Sequence, residues 1–215
     1  MRVLLIGNSH THVNDVPGIL QALLSWGTGR PASCVGCSTD SVGLSWHWKR
    51  RQTHDRLTQD RYSFVVLQDR SGGPTEAPES TRTHAGLWCE AVKKQGATPV
   101  LYMTWALAHA PQTQDEIAAV YGDVARKHDA RLAPVGLAWR EAGFTSHAPP
   151  LYDADGRHAA PAGSVLAACV LAQTIAPEVP WLLLRQEPPA VGGVGSAVVR
   201  LLMQIAAGVR LAAVS

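Results

Sequence analysis

Two short stretches near opposite ends of the chain hold the residue types that nucleophilic chemistry needs. Gly7-Asn8-Ser9-His10 follows the apolar run RVLLI at 2–6 and leads into a helical pattern. A serine between a strand end and a helix start sits among backbone N–H groups with no helical acceptor, at the positive end of a helix dipole. Such groups can meet negative charge that forms beside the hydroxyl. The same placement also suits a plain helix cap, and Thr11 stands where the G-x-S-x-G nucleophile elbow has its second glycine. Asp155 and His158 form D-x-x-H. That spacing lets a carboxylate orient an imidazole while the other ring nitrogen faces a hydroxyl. A surface turn at Asp155-Gly156 would use the same residues. Neither stretch decides alone; taken together they describe serine hydrolysis.

Other polar residues gather near expected strand ends. Gln68-Asp69-Arg70 follows SFVVLQ at 63–68, and Thr104-Trp105 follows TPVLYM at 98–103. His47, between Trp46 and Trp48, suits either a substrate pocket or a packed aromatic patch. Trp105 and His109 are pocket candidates because aromatic faces suit sugars and acyl groups, and Arg70 is a candidate for an anionic substrate. His10 and His12 form an H-x-H with no evident carboxylate partner, so no metal is expected. Cys34 and Cys37 form a C-x-x-C that no second pair follows, which argues against zinc. GGVGS at 192–196 lacks the third glycine of G-x-G-x-x-G and follows no firm strand, so it reads as a flexible joint.

The elements that must position these residues alternate strand and helix. Strands are expected at 2–6, 32–37, 63–68, 98–103 and, more weakly, 131–135. Helices are expected at 14–26, 78–95, 114–128, 137–142, 161–175 and 196–212, with a turn at 71–74. Strands separated by helices imply a parallel sheet covered on both faces, with sites at the carboxyl ends of the strands. One α/β domain over 1–182 is expected, with a loop and C-terminal helix at 183–215 packed on it.

Composition narrows the function classes. The chain has 215 residues, of which 46% are hydrophobic and 17% charged, enough for a real core. Nineteen Lys and Arg against seventeen Asp and Glu leave +2, which gives no case for nucleic acid or membrane surfaces as partners. No apolar run is long enough to span a bilayer. The apolar run at the N-terminus is too short for a secretory segment. Four cysteines in a domain of this size are no disulfide framework, so a reducing cytoplasm is the expected compartment.

With these residues in view, the sequence resembles the SGNH hydrolases, the GDSL-type esterase superfamily. Gly7-Asn8-Ser9 matches the first block, Ser38-Thr39-Asp40-Ser41 the second, VVLQDRS the third, and DGRHAAPAGSVLAACVL from Asp155 the last. Gln68 stands where the third block has Asn, and Thr39 where the second has Gly. The resemblance implies a three-layer α/β/α sandwich with about five parallel strands in the order 2-1-3-4-5. It implies Ser9 as nucleophile, His158 as base and Asp155 as the group holding it. It implies an oxyanion hole from the N–H groups of Ser9 and Thr39 and the amide of Gln68. The implied activity is hydrolysis of a small-molecule ester without metal or other cofactor, a short acyl group on a carbohydrate or other polar alcohol being the first expectation. Acyl transfer on the same fold and a non-catalytic binding module stay open alternatives, as does the oligomeric state.

Overall fold

A computed structural model of the chain describes residues 1–209. In chain order the elements are β1 (Arg2–Gly7), α1 (Ser9–His12), α2 (Val16–Thr28), β2 (Ser33–Ser38), α3 (Leu44–Trp48), α4 (Arg51–Gln59) and β3 (Phe64–Leu67). Then come α5 (Gly73–Glu76), α6 (Pro78–Lys94), β4 (Thr98–Tyr102), α7 (Gln114–Lys127), β5 (Arg131–Ala133), α8 (Val135–Ala142), α9 (Pro161–Ile175) and α10 (Ser196–Gly208). The five strands pair in parallel in the order β2-β1-β3-β4-β5.

The sheet is covered on both faces, and the alternation of side chains divides its core in two. Val3 and Leu5 of β1, Val66 of β3 and Val100 and Tyr102 of β4 pack with α2, α8, α9 and α10. Leu4, Ile6, Val65, Leu67 and Leu101 pack with α6 and α7. This is why β1, β3 and β4 read as apolar runs. Helix α9 is apolar nearly all round because α2, α8 and α10 enclose it. Helix α10 lays Val199, Leu202, Met203 and Ile205 into the same core.

Most boundaries fall within two residues of expectation, and Pro161–Ile175 matches it at both ends. The exceptions have local causes. The helix expected from residue 14 starts at Val16, because Asn14 and Asp15 are left-handed (φ 55 and 56) and Asp15 caps the helix through the Gly18 N–H. The first turn of that segment is spent on a reversal. Helices α3 and α4 were not expected. Helix α4 buries only Thr53 and Leu57, so it carries almost no apolar periodicity. The turn expected at 71–74 runs into the single turn α5. Residues 192–193 form a tight two-residue turn between paired Val191 and Val194, with both glycines at positive φ, so this is a fixed reversal and not the flexible joint expected. Residues 210–212 of the expected last helix lie outside the described residues.

Candidate active site

The carboxyl ends of β1 and β3 carry Ser9 and Gln68, and the loop before α9 carries Asp155 and His158. The structure brings three of these into one chain of hydrogen bonds. His158 Nδ1 lies 2.6 Å from Asp155 Oδ2, and His158 Nε2 lies 3.0 Å from Ser9 Oγ. A carboxylate only accepts, so Nδ1 carries the proton and Nε2 is left to accept from the Ser9 hydroxyl. The Asp155 carboxylate also accepts from the backbone N–H groups of Arg157 and His158, at 2.9 and 2.8 Å. The His158 ring, then these two amides, hold its carboxyl well below the usual carboxylate range. It is therefore an anion at any working pH. Asn14 closes the arrangement across the whole chain. Its side-chain amide donates to the Ala159 carbonyl at 2.9 Å and to Ser164 Oγ at 3.0 Å, tying the segment after Ser9 to the segment after His158.

Beneath Ser9 lies a buried polar network. Gln68 Oε1 accepts from the Asn8 N–H at 2.9 Å and from Thr11 Oγ1 at 2.8 Å. The backbone N–H is an unambiguous donor, so the orientation of the Gln68 amide is fixed. Gln68 Nε2 then donates to Asn8 Oδ1 at 3.0 Å and to the Asp69 carbonyl. Asn8 Nδ2 donates onward to the Val42 carbonyl at 2.8 Å. Gly7 is required here, because a Cβ would overlap Thr11 Oγ1 and Gln68 Oε1. The expectation that Gln68 aims its amide over Ser9 is thus corrected. Both amide hydrogens are spent inside the protein, and the side chain is fully buried. It laces the end of β3 to the turn that presents the serine.

Thr39 is corrected in the same way. Its N–H donates to the Gly7 carbonyl at 3.2 Å, extending the β1–β2 ladder, and is not free for an oxyanion. Ser41, two residues on, takes a left-handed conformation (φ 60) and lines the cleft over Ser9. Among the described residues no acceptor meets the backbone N–H of Ser9 or of Ser41.

His47 and Trp105 are not pocket residues. His47 is fully buried; its Nε2 donates to the Gly7 carbonyl at 2.8 Å, which leaves Nδ1 to accept from Thr53 Oγ1 at 3.1 Å. Burial lowers its pKa, so the ring is a neutral strut behind the turn that carries Ser9. Trp105 is buried, stacked on Trp139 at 3.8 Å between centroids, and its Nε1 donates to the Arg157 carbonyl at 2.9 Å. It supports the Asp155–His158 loop from below. His109 is exposed and does not line the cleft. Arg70 does line it, but is paired to Glu76 at 2.6 Å.

The two histidines of H-x-H diverge. His12 Nε2 reaches Asp40 at 3.0 Å on the outside. His10 is buried with its ring edge-on to Trp105 at 4.5 Å and 5.5 Å from the His158 ring, and Nδ1 has no partner. Burial, then the neighbouring His158 and Arg157, lower its pKa to about 4. Cys34 and Cys37 sit three residues apart on β2, and they pack against opposite faces of the sheet. That separation rules out a shared metal or disulfide between them.

The cleft over Ser9 is small, about 170 Å³, and is lined by Asn8, Ser9, His10, Ser41, Arg70, Ser71, Gly72, Glu76, Leu107, Arg157 and His158. A larger apolar groove between α7 and α8 holds none of the residues named for chemistry. Asp69 lies behind the cleft-lining segment Arg70–Gly72. Its carboxylate is buried and accepts from the N–H groups of Leu44 and Arg70, at 2.8 and 2.9 Å, and from Thr81 Oγ1 at 2.6 Å. Asp69, Asn8, Ser41 and Arg157 are not among the site residues expected from the sequence. For Asn8, Asp69 and Arg157, the available signal was adjacency to Ser9, Gln68 and His158.

No sequence-family model and no curated protein matches this chain. Solved structures do. A protein assigned to the SGNH hydrolases from Slackia heliotrinireducens is 31% identical, with TM-score 0.69, over 81% of this chain and 98% of its own. A DUF4886 family protein from Bacteroides uniformis is 16% identical, with TM-score 0.74, over 96% and 93%. An acetyl-xylooligosaccharide esterase from Geobacillus is 16% identical, with TM-score 0.62, over 86% and 97%.

Proposed function

The chain belongs to the SGNH hydrolases, a family of carboxylic ester hydrolases, and from that premise we propose that it cleaves small carboxylic esters through an acyl-enzyme on Ser9. The observation that carries the reading is the continuous chain Asp155–His158–Ser9, at 2.6 and 3.0 Å. Ser9 Oγ attacks the ester carbonyl carbon as its proton passes to His158 Nε2. Asp155 stabilises the imidazolium through Nδ1–H. Collapse of the tetrahedral intermediate breaks the bond to the alcohol oxygen, which leaves with the proton from Nε2. Water then attacks the acyl-enzyme, with His158 again as base, and releases the acid.

The backbone N–H groups of Ser9 and Ser41 serve the oxyanion, since Gln68 and Thr39 have no donor to spare. Ser41 lines the cleft in a left-handed conformation, and its N–H meets no acceptor among the described residues. His10 stays neutral beside His158 and so does not compete for the proton. The cleft is below the size that accommodates drug-sized ligands, and most of the residues around it are polar. These features favour a short acyl group on a polar alcohol.

A fluorophosphonate probe tests the reading directly. It should label the wild-type protein on Ser9 and fail to label Ser9→Ala, and the wild type should hydrolyse an aryl acetate. In a structure of the adduct, the phosphonyl oxygen should lie within 3.2 Å of Ser9 N and Ser41 N, the usual hydrogen-bond limit. Labelling elsewhere, or hydrolysis that survives Ser9→Ala, would overturn the assignment.

A further inference from the structure

The rim of the cleft carries one uncompensated charge. Three ionic groups besides His158 face it: Arg70, Glu76 and Arg157. Arg70 and Glu76 neutralise one another at 2.6 Å. Of the carboxylates beside Arg157 in the loop, Asp155 is committed to His158, and Asp153 accepts from the Ala154 N–H and does not line the cleft. Arg157 is exposed and meets no carboxylate among the described residues. Its backbone is held on both sides, the N–H by Asp155 Oδ1 at 2.9 Å and the carbonyl by Trp105 Nε1 at 2.9 Å. The side chain therefore starts from a fixed point next to the base, and its charge is close enough to bear on buried His10.

We infer that Arg157 selects esters bearing a carboxylate a few bonds from the scissile group. This rests on reading the cleft as an ester site. An unpaired guanidinium beside a small polar cleft presents a planar fork of donors that matches a carboxylate. One such cation fits a monoanion. A phosphate dianion would call for a second free cation, and Arg70 is not free. The carboxylate can belong to the acyl group or to the alcohol, since Ser9 and Arg157 line the same small cleft.

Binding to the Ser9→Ala variant tests this without depending on turnover. Calorimetric titration compares monophenyl succinate with phenyl butyrate, for a charge on the acyl side, and 3-acetoxybenzoate with phenyl acetate, for a charge on the alcohol side. In at least one pair the anion should bind about five- to tenfold tighter, as expected for a partly solvated charge-assisted contact. Adding Arg157→Ala should bring that ratio to about one, and Arg157→Lys should keep part of it. The preference should shrink when salt rises from 20 to 500 mM, in line with Debye screening. Equal binding within both pairs, or a preference that survives Arg157→Ala, would overturn the inference. Fluorophosphonate labelling of wild-type Ser9 is scored separately. Loss of labelling counts against the esterase reading, whereas loss of the charge ratio counts against Arg157 alone.

Discussion

The two halves of the site are built in opposite ways. On the nucleophile side, Asn8, Gln68 and Asp69 are buried and almost every polar atom has a protein partner. On the base side, the side chains of His158 and Asp155 are 33% and 47% exposed, and the loop is held largely through its main chain. The proposed reaction needs the serine aimed to within a fraction of an ångström, which a dry, hydrogen-bonded network provides. It also needs a base that exchanges protons with alcohol and water, and His158 stands where both can reach it. Damage to the first half should appear as lost stability, and damage to the second as lost turnover.

The sharpest break in that contrast is chemical. Ser9→Ala and His158→Ala should each lower kcat by about 10⁴ or more with unchanged circular dichroism, because members of such a unit fail together. Asp155→Ala should cost less, about 10² to 10⁴, since nucleophile and base remain. Steady-state kinetics on an aryl acetate ranks the three.

Asp69→Ala should act on the other half. It strands two backbone N–H groups and the Thr81 hydroxyl, and should remove about 2–4 kcal/mol of stability by urea denaturation. An unchanged midpoint would mean that the buried half is not under tension from its polar groups. The burial of His10 sets a pH effect next in size. Its folded pKa of about 4 lies below the ordinary histidine value near 6.5. The unfolded chain therefore binds the proton more readily, and stability falls as pH drops through that window. This residue should account for a loss of about 2 kcal/mol between pH 7.5 and 5, and His10→Phe should flatten the dependence by that amount. Gln68→Ala should cost about 1–3 kcal/mol of stability, with kcat per folded molecule changed less than about tenfold. A fall of 10² or more in kcat at undiminished stability would return Gln68 to the oxyanion.

The parts of this molecule that were legible in the sequence are those whose burial is uniform. RVLLI and PAGSVLAACVLAQTI show their environment directly, because β1 is covered on both faces and α9 on nearly all sides. Helices α3 and α4 were invisible because their positions depend on single buried residues, such as Leu44, Thr53 and Leu57. Among site residues, position along the chain was readable and direction was not. Gln68 was placed correctly at the edge of the sheet, yet its amide turns toward Asn8, a partner sixty residues away. Trp105 is expected in the pocket, and His47 either in the pocket or in a packed aromatic patch. Their ring nitrogens instead donate to the Arg157 and Gly7 carbonyls, bonds that only the folded chain creates.

The loop from Asp155 to His158 is anchored through its peptide groups and through its first and last side chains, leaving the side chain of residue 157 uncommitted. Selection can therefore rewrite that one position without disturbing the hydrogen bonds of Asp155 and His158 on either side. Among descendants of a common ancestor, residue 157 should diversify as diets and niches change while 155 and 158 stay constant. A library randomised at this codon alone should yield folded enzymes with altered substrate ranking, a short evolutionary path between neighbouring ester classes.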